Sequence, residues 1–440
     1  MTEMMVTRDG TRPWTTLFQI YPMMMKLFKE TLDEDRETCR EIMGRLDSAG
    51  REISAIVVTA QFGFVCTDIL DHYQVPIIAM SPSGRYHRWT KMLGNPEHPA
   101  YMPDVVLPMV EPLSLQQRII STIVHFLLDY NLHIRLWEEN TRLLDFTGLQ
   151  LGKWAKLVQT RLDIILQATH HVTHGPAVLA PNTIEIGGLH CREGRPLPPH
   201  LQTILDSHPE GVIFLSFGSS IRPSQMSPSQ VSVFLETFAR LNQTVIWKWD
   251  GEEMAGLPSN VVLQTWVPQQ DLLAHPNLQV FVTHGGLLSL QESLYHSTPL
   301  VGIPLGNDQK PNMMRAERRG YAVMLDWTSL NTEDLLAAIQ KAATEPEMRR
   351  EMARAHQLFV DQPESPRDRA VWWVEFVMRN KGAQFLKPSS LHLTWPQYHL
   401  LDVLLLIGAV LLVINITLMV FCWKSSKCIL GRKISKAKTE

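Results

Sequence analysis

The sequence is poor in cysteine. It has five cysteines in 440 residues, and no two of them form a CxxC pair. The spacing therefore gives no disulfide framework and argues against a cysteine metal site. We expect Cys39, Cys66 and Cys191 to be buried thiols. Cys422 and Cys428 lie near the C-terminus, where the surrounding sequence has a different character.

The sequence also lacks an excess of positive charge. It has 41 Lys and Arg against 44 Asp and Glu, a net charge of −3, and no basic arm outside the extreme C-terminus. Proteins that bind nucleic acid usually present a basic patch, so this composition argues against a nucleic-acid partner. No internal repeat and no low-complexity tract interrupts the chain.

Long apolar runs are absent until the C-terminus. Residues Val403 to Cys422 are apolar except for Gly408, Asn415 and Thr417. A run of 20 such residues has the length that a helix needs to cross a bilayer. The sequence therefore predicts a transmembrane helix over 403–422 and a basic tail over 423–440, with six cations: Lys424, Lys427, Arg432, Lys433, Lys436 and Lys438.

The two ends of the chain predict its orientation. By the positive-inside rule the basic tail faces the cytosol, and the final "KAKTE" resembles a dilysine signal for retrieval to the endoplasmic reticulum. The opening "MTEMMVTRDGTRPW" has no apolar core, so it is not a signal peptide. Insertion by the C-terminal span alone would leave the main body in the cytosol. We therefore expect residues to precede Met1 and the body to be lumenal.

The order of predicted elements indicates an α/β fold. Short apolar runs read as strands at 53–59 and 75–80, and residues 84–112 read as a proline-rich loop. From residue 212 onward, strands at 212–217, 245–248, 261–265, 278–283 and 300–303 alternate with helices near 228–240, 269–275 and 287–296. Such alternation predicts a parallel sheet with helices on both faces, and ligands then bind beyond the carboxyl ends of the strands.

The segment 113–137 reads as a helix with apolar residues around most of its circumference. His125, Asp129 and Arg135 make it too polar to span a membrane. It could be a buried helix or a helix lying on the bilayer, and we expect burial. The segment 179–190, followed by "GRPLPPH", reads as a linker between two domains.

One stretch, "FVTHGGLLSLQESL" at 281–294, combines a strand, a glycine turn and a helix. The start of such a helix offers free backbone amides and the positive end of the helix dipole, which suit a phosphate. Glu292 follows about two turns later, within reach of a ribose whose hydroxyls a carboxylate can accept. An ordinary strand-to-helix turn would have the same pattern, because short glycine motifs are not specific.

In its wider context this stretch resembles the signature of the UDP-glycosyltransferases. Residues 266–309 carry the resemblance, together with "GVIFLSFGSS", "IWKWDG", "PNTIEIGGLH", "GNPEHPAYMPD" and the C-terminal span with its lysine tail. The resemblance extends from about residue 50 to the end and includes the UDP-glucuronosyltransferase type. The form "THGGLLSLQES" is more similar to the invertebrate members.

The resemblance implies a GT-B fold of two Rossmann-like doubly wound domains plus the transmembrane helix. The acceptor-binding domain would occupy 1–187 and be incomplete. The UDP-sugar-binding domain would occupy 188–345, and helices in 346–402 would return to the first domain. The donor-binding residues would be Ser219, Trp266, Gln269, His284, Gly285, Gly286, Ser289, Glu292, Asp308 and Gln309.

Each of these residue types suits its implied role. Trp266 offers a flat face for a uracil, and Gln269 has both a donor and an acceptor for the nucleoside. His284 and the two glycines would face the pyrophosphate, and Ser219 and Ser289 would add hydroxyl groups. Glu292 would bind the ribose, and Asp308 with Gln309 the sugar. Each has an ordinary structural alternative, such as a core tryptophan, a helix cap or a turn.

The implied reaction is an inverting displacement in which an acceptor hydroxyl attacks the sugar and UDP leaves. A histidine acts as general base and an aspartate orients it. No metal or other cofactor is implied beyond the UDP-sugar co-substrate. Here Ala60 occupies the aspartate position, Asp68 reads as part of the next helix, and the first histidine in the chain is His72. No catalytic residue can therefore be assigned.

Three functions remain open from the sequence. The first is a membrane-bound UDP-glycosyltransferase of the endoplasmic reticulum that uses UDP-glucose or UDP-glucuronic acid and conjugates small lipophilic acceptors, as in detoxification. The second is a non-catalytic UDP-sugar-binding relative or regulatory partner in a homo- or hetero-oligomer, which Ala60 favours. The third, a metal enzyme built on His170, His171 and His174, is weakened by the lack of a nearby carboxylate or cysteine.

Overall fold

The computed structural model describes residues 37–436 except 51, 61–65, 106, 138–156, 159, 219–221, 252, 253 and 255. Its residues up to Pro388 form one compact unit with two parallel sheets, and Ser389 to Glu440 form a second unit. The first sheet has the strand order β1-β2-β3-β4, with strands at Ile56–Thr59, Ile77–Ser81, Leu162–Gln167 and Thr183–Glu185.

The helices of the first half lie between and before these strands. Helix α1 covers residues 37–48. The others are α2 (Thr67–His72), α3 (His87–Met92), α4 (Leu115–Trp137) and α5 (His171–His174). Asp68 lies in α2, as predicted. The prediction of a loop over 84–112 was wrong at α3, and β4 lies inside the predicted linker because Ile184 and Ile186 pack into the core.

The second sheet has six parallel strands in the order β10-β9-β8-β5-β6-β7. This is the doubly wound order of dinucleotide-binding domains, with the reversal between β5 and β8. The strands are Val212–Ser216, Thr244–Lys248, Val261–Gln264, Leu278–Thr283, Leu300–Gly302 and Ala322–Met324 for β5 to β10. The α/β prediction with a parallel doubly wound sheet is confirmed.

Helices cover both faces of this sheet, so its strands are buried on both sides. They are α6 (Pro199–Asp206), α7 (Pro228–Phe238), α8 (Gln269–Leu273), α9 (Leu287–Tyr295), α10 (Gln309–Arg318), α11 (Thr332–Thr344) and α12 (Pro346–Val360). Helix α13 (Pro366–Arg379) then packs against the first sheet, where Ala370 and Val377 join its core cluster. The exact domain boundaries predicted from the sequence stay a prediction.

The second unit ends in one long helix. Helix α14 covers Trp395–Tyr398 and α15 covers Leu401–Lys436. Within α15, the 24 residues from Leu401 to Lys424 are long and apolar enough to cross a membrane, and they are not buried within the protein. The predicted C-terminal apolar span is therefore present as a continuous helix.

Two expectations about the first half were wrong. Cys39 and Cys66 are not thiols but form a disulfide, with a Cα–Cα distance of 5.6 Å. Packing of α1 beside the start of α2 brings them together, which their separation of 27 residues cannot reveal. Helix α4 is not simply buried. Its large apolar side chains at positions 115, 119, 123, 126 and 127 are at least half exposed, while its polar Ser121, His125 and Asp129 face inward.

A buried ion pair explains the orientation of α4. Lys91 on α3 lies 3.4 Å from Asp129, and both side chains are largely buried. A buried carboxylate without a cation costs several kcal/mol, so the helix turns Asp129 toward Lys91. Hydrophobic periodicity locates a helix, but it cannot report where the partner of a buried charge lies.

Candidate functional site

The candidate site lies at the carboxyl edge of the second sheet. Because the strands are parallel, the residues that follow them meet at one edge. Lys248 ends β6, Trp266 follows β7, His284 follows β8 and Asp308 follows β9. The topology alone therefore brings together residues that lie up to 60 positions apart in the sequence.

Trp266 forms a flat, open platform. Its side chain is 73% exposed, which is unusual for a tryptophan in a folded domain. The Lys248 ammonium lies 5.0 Å from the centre of its ring and also donates to the Gly218 carbonyl oxygen at 3.0 Å. The ring is thus held beside a cation while one face stays available for an aromatic base. Sequence reasoning missed Lys248, although its place at a strand end in "IWKWDG" was a usable signal.

Gln269 and Glu292 are directly joined. Gln269 begins α8, and its Nε2 donates to Glu292 Oε2 at 2.5 Å and to Ser289 Oγ at 3.1 Å. Burial raises the pKa of Glu292, while the Gln269 hydrogen bond and the nearby His190 oppose the rise. Gln269, Ser289 and Glu292 therefore form one connected polar group, with carboxylate acceptor sites of the kind that suits the hydroxyls of a ribose.

His284 lies between two glycine turns. A Cβ on Gly218 would be 3.0 Å from its Cε1, and a Cβ on Gly286 would be 2.6 Å from its Nε2. Burial lowers the pKa of His284 to about 4, so the ring is neutral at pH 7. A neutral imidazole beside the start of α9 retains one N–H that can donate to an anion.

Glycine is required at 285 and 286 for different reasons. Gly285 has a φ of +81°, and a Cβ there would be 2.4 Å from Met313 Cγ. Gly286 is the N-cap of α9 at φ −61°, and there the close contact is with the His284 ring. The two glycines let the turn pass close to α10 while the first amides of α9 stay exposed toward His284.

Asp308 and Gln309 begin α10 and are both buried. Asp308 is its N-cap residue and is 8% exposed, and Asn312 Nδ2 donates to its Oδ2 at 3.1 Å. Burial raises its pKa, and hydrogen bonds from Asn312 and from the backbone, including that of Gly84, oppose the rise. Gln309 Oε1 accepts from the amides of Leu305 and Gly306 at 2.8 and 3.0 Å, which fixes the turn before the helix.

Three other positions singled out from the sequence are Ser219, Ala60 and His170. Ser219 lies outside the described residues. Ala60 is fully buried at the end of β1, where its amide donates to the Met80 carbonyl oxygen. His170 caps α5, because its Nδ1 accepts from the Val172 amide, and burial lowers its pKa to about 4. Among the residues that the structure describes, no three His, Cys, Asp or Glu are placed to hold a metal ion.

The arrangement suits a nucleotide that carries a diphosphate and a sugar. An exposed aromatic face, a partly buried carboxylate that accepts from Gln269, a glycine-bounded helix start and a buried carboxylate follow one another along one sheet edge. Gln291 joins this edge to the first half, since its Nε2 donates to the Ala168 carbonyl oxygen at 2.7 Å and its Oε1 accepts from the Gly188 amide at 3.1 Å.

Known proteins share this fold. The chain superposes on UDP-glucose: anthocyanidin 3-O-glucosyltransferase in complex with UDP with a TM-score of 0.58 at 15% identity, covering 85% of this chain and 84% of that one. It also superposes on LpCGTa in complex with UDP with a TM-score of 0.53 at 16% identity, covering 84% and 83%. At these identities the similarity establishes the GT-B glycosyltransferase fold.

Sequence similarity is stronger. UDP-glucuronosyltransferase 2B16 of Oryctolagus cuniculus is 31% identical over 422 residues, which cover 92% of this chain and 78% of the relative. UDP-glucosyltransferase 2 of Dactylopius coccus is 35% identical over 353 residues, which cover 79% and 68%. The sequence model described as UDP-glucoronosyl and UDP-glucosyl transferase matches residues 4–436. The chain therefore belongs to the UDP-glucuronosyl and UDP-glucosyl transferase family.

Proposed function

We propose that this chain transfers glucose or glucuronic acid from a UDP-sugar to the hydroxyl group of a small lipophilic acceptor, with inversion at the sugar. The observation that carries the proposal is the set of residues at the carboxyl edge of the second sheet, here called the donor edge. It includes the exposed Trp266, the hydrogen-bonded Gln269 and Glu292, and the buried Asp308. The named relatives are glucuronosyltransferases and a glucosyltransferase, which supports both donor sugars.

In this proposal the uracil stacks on Trp266 and the ribose hydroxyls donate to Glu292. The diphosphate lies at the start of α9, where His284 and the first amides donate to it and Lys248 supplies a positive charge. Asp308 and Gln309 bind the sugar hydroxyls. As UDP leaves, this fixed set of donors stabilises the charge that develops on the diphosphate, so the proposal includes no metal or other cofactor.

An alternative is a non-catalytic relative that binds UDP-sugars or partners active enzymes. Ala60 favours this alternative, because a methyl group cannot orient a histidine base. Its full burial at the end of β1 also leaves no room for a carboxylate without rearrangement of the core. Homo- or hetero-oligomers with related transferases would give such a protein a regulatory role.

One experiment separates these functions. The full chain in detergent is titrated with UDP, UDP-glucose and UDP-glucuronic acid by calorimetry, and the same preparation is incubated with each donor and a panel of phenolic acceptors. We expect binding of UDP and formation of a conjugate detected by mass spectrometry. Binding without any conjugate would favour the non-catalytic alternative. Absence of UDP binding would contradict both the transferase and the UDP-sugar-binding relative, and would leave only the regulatory partner.

A matched pair of variants makes the binding result specific. Glu292→Ala removes the ribose acceptor and should weaken UDP binding at least tenfold, which corresponds to about 1.4 kcal/mol. Glu210→Ala is the control, since Glu210 is exposed in the turn before β5, at the opposite edge of the sheet. Equal affinities in the two variants would contradict the assigned site.

We also propose a location in the membrane of the endoplasmic reticulum, with one span, a lumenal body and a cytosolic basic tail. The 24-residue apolar stretch of α15 supports a bilayer as partner. The Cys39–Cys66 disulfide supports a lumenal body, because structural disulfides form in oxidising compartments such as that lumen. A role in detoxification follows from the proposed lipophilic acceptors.

A further inference from the structure

Helix α10 connects the proposed sugar site with the first half of the chain. Its N-terminal end carries Asp308 and Gln309, and Asn312 in its first turn donates both to Asp308 and to the Gly285 carbonyl oxygen, at 3.1 and 3.2 Å. The carboxylate that would hold the sugar is therefore fixed by its own helix and by the glycine turn before α9. Any movement of α10 moves this carboxylate.

The other end of α10 is attached to the first half by three arginines. Arg315 Nη2 lies 3.5 Å from Glu111 Oε2. Arg318 donates to the Val110 carbonyl oxygen at 3.3 Å and to that of Glu111, and Arg319 Nη2 donates to the His171 carbonyl oxygen at 3.2 Å. All four contacts of these three arginines run from the end of α10 to the loop before α4 or to α5.

The Arg315–Glu111 pair is partly buried, with the Glu111 side chain 33% exposed. The Arg315 side chain is only 13% exposed, and its Nε has no hydrogen-bond partner among the described residues. Burial lowers its pKa while Glu111 opposes this change. A guanidinium that is largely removed from water is destabilising without its carboxylate partner. We therefore expect loss of either residue to change the position of α10.

A second part of the first half also lies close to Asp308. The backbone of Gly84, in the loop after β2, faces the Asp308 carboxyl group and acts to lower its pKa. The position of Gly84 is itself set by α5, since a Cβ on Gly84 would lie 2.8 Å from His174 Nε2. The first half thus approaches the Asp308 carboxylate in two ways, directly at Gly84 and indirectly through α10.

The geometry of α10 makes the indirect contact effective. Arg315 follows Asp308 by seven positions, which is about 10 Å along a helix. Over two turns a hydrogen-bonded helix moves as one rigid piece, so the place where Arg315 is anchored fixes the place where Asp308 stands. The nucleoside contacts at Trp266, Gln269 and Glu292 lie on other elements.

We propose that Arg315 and Glu111 are positioning residues for the donor sugar. Their ion pair holds α10 so that Asp308 meets the sugar, and it couples the position of the acceptor-binding half to recognition of the sugar rather than of UDP. This inference rests on the proposed function, because it takes Asp308 as a sugar-binding residue. Neither residue touches the sugar.

The test compares the affinities of the full chain for UDP and for its preferred UDP-sugar by calorimetry in detergent. Variants Arg315→Met and Glu111→Gln each break the pair, and Arg315→Lys keeps its charge. Arg354→Met is the matched control, because Arg354 is exposed on α12. A thermal unfolding scan of every variant identifies those that fail to fold. If one of the two pair-breaking variants does not fold, the other still tests the pair.

We expect Arg315→Met and Glu111→Gln to leave UDP affinity unchanged and to weaken UDP-sugar affinity about tenfold, a size typical of coupling through one element. Arg315→Lys should restore most of the difference, and Arg354→Met should change neither affinity. Parallel weakening of UDP and UDP-sugar would mean a purely structural pair and would overturn the inference, as would no change in either. A wild-type chain that binds no UDP would instead contradict the proposed function.

Discussion

At the scale of single residues, Trp266 gives the simplest test of the donor edge. Its ring is largely exposed, so little folding energy depends on it, whereas stacking of a base on an aromatic ring contributes about 1–3 kcal/mol. We expect Trp266→Ala to weaken UDP binding roughly 5- to 150-fold and Trp266→Phe to retain most of the affinity, as measured by calorimetry.

The matched control for this prediction is Trp372→Ala. Trp372 is also about half exposed, but it lies on α13 and stacks on Phe376. Trp372→Ala should leave UDP affinity unchanged. If both alanine variants bound UDP as tightly as the wild type, Trp266 could not be the uracil platform.

His170 gives a residue-scale prediction for pH. Its folded pKa is about 4, mainly because of burial, and lies below the ordinary value of 6.5. Between these two values the unfolded chain binds a proton that the folded chain does not, so stability falls as the pH drops from 6.5 toward 4. His284 adds to the same window, since its pKa is also about 4.

We expect His170→Asn to reduce this loss of stability. Asparagine is a good N-cap residue and can still accept from the Val172 amide, but it does not titrate. Thermal midpoints of both proteins at pH 7.5 and 5.0 give the comparison, and the wild type should lose more on acidification. An equal drop in the two proteins would show that His170 contributes nothing to the acid sensitivity.

At the scale of elements, the prediction compares the exposed apolar face of α4 with the buried strand β3. Ile123 is 54% exposed, so Ile123→Gln should change stability by no more than about 0.5 kcal/mol. Leu166 in β3 is fully buried, and Leu166→Ala should cost about 2–5 kcal/mol. Urea or thermal unfolding in detergent measures both, and a large loss in the Ile123 variant would show that its face is covered.

Five of the six strands of the second sheet were predicted from the sequence almost to the residue, whereas the short β10 was not predicted. Strand β8 was predicted at its observed bounds, and β6 and β9 within one residue, because strands buried on both faces are continuous apolar runs between turns. The site residues after β7, β8 and β9 followed from the rule for parallel sheets. Lys248 was missed because its role depends on a neighbouring ring that comes 18 positions later.

The first half was less predictable for a physical reason. The Cys39–Cys66 bond, helix α3 and the outward apolar face of α4 all depend on which segment packs against which. Periodicity and composition describe one segment at a time, so they cannot show that Asp129 meets Lys91 or that α1 lies beside α2. Such pairings become visible only when the elements are placed together.

At the scale of the whole molecule, α13 and α10 tie the two sheets into one compact unit. Helix α13 follows the second sheet in the chain but packs on the first, and α10 reaches the first half through its arginines. Such crossings mean that the two halves are not independent, so a defect in one is expected to change binding in the other. This is why UDP and UDP-sugar affinities must be measured on the full chain.

Orientation across the membrane is also a property of the whole molecule, and Asn242 reports it. Asn242 begins the sequence "NQT" and is exposed in the turn between α7 and β6, so a lumenal body would present it for N-glycosylation. Asn415 also begins such a motif, but it lies within the apolar span and should stay unmodified. We expect the chain from microsomes to lose one glycan on glycosidase treatment and Asn242→Gln to carry none.

The disulfide provides an independent reading of the same orientation. In a lumenal body Cys39 and Cys66 are joined, so both resist a maleimide reagent until a reductant is added after denaturation. Cys191 is the internal standard, because it is a free thiol under either orientation. A body that is unglycosylated and in which Cys39, Cys66 and Cys191 all react without reductant would lie in the cytosol. The basic tail would then be lumenal, against the positive-inside rule. If Asn242 is glycosylated and Cys39 and Cys66 are joined, the acceptor-binding half lies on the lumenal side. The UDP-sugar must then be supplied there.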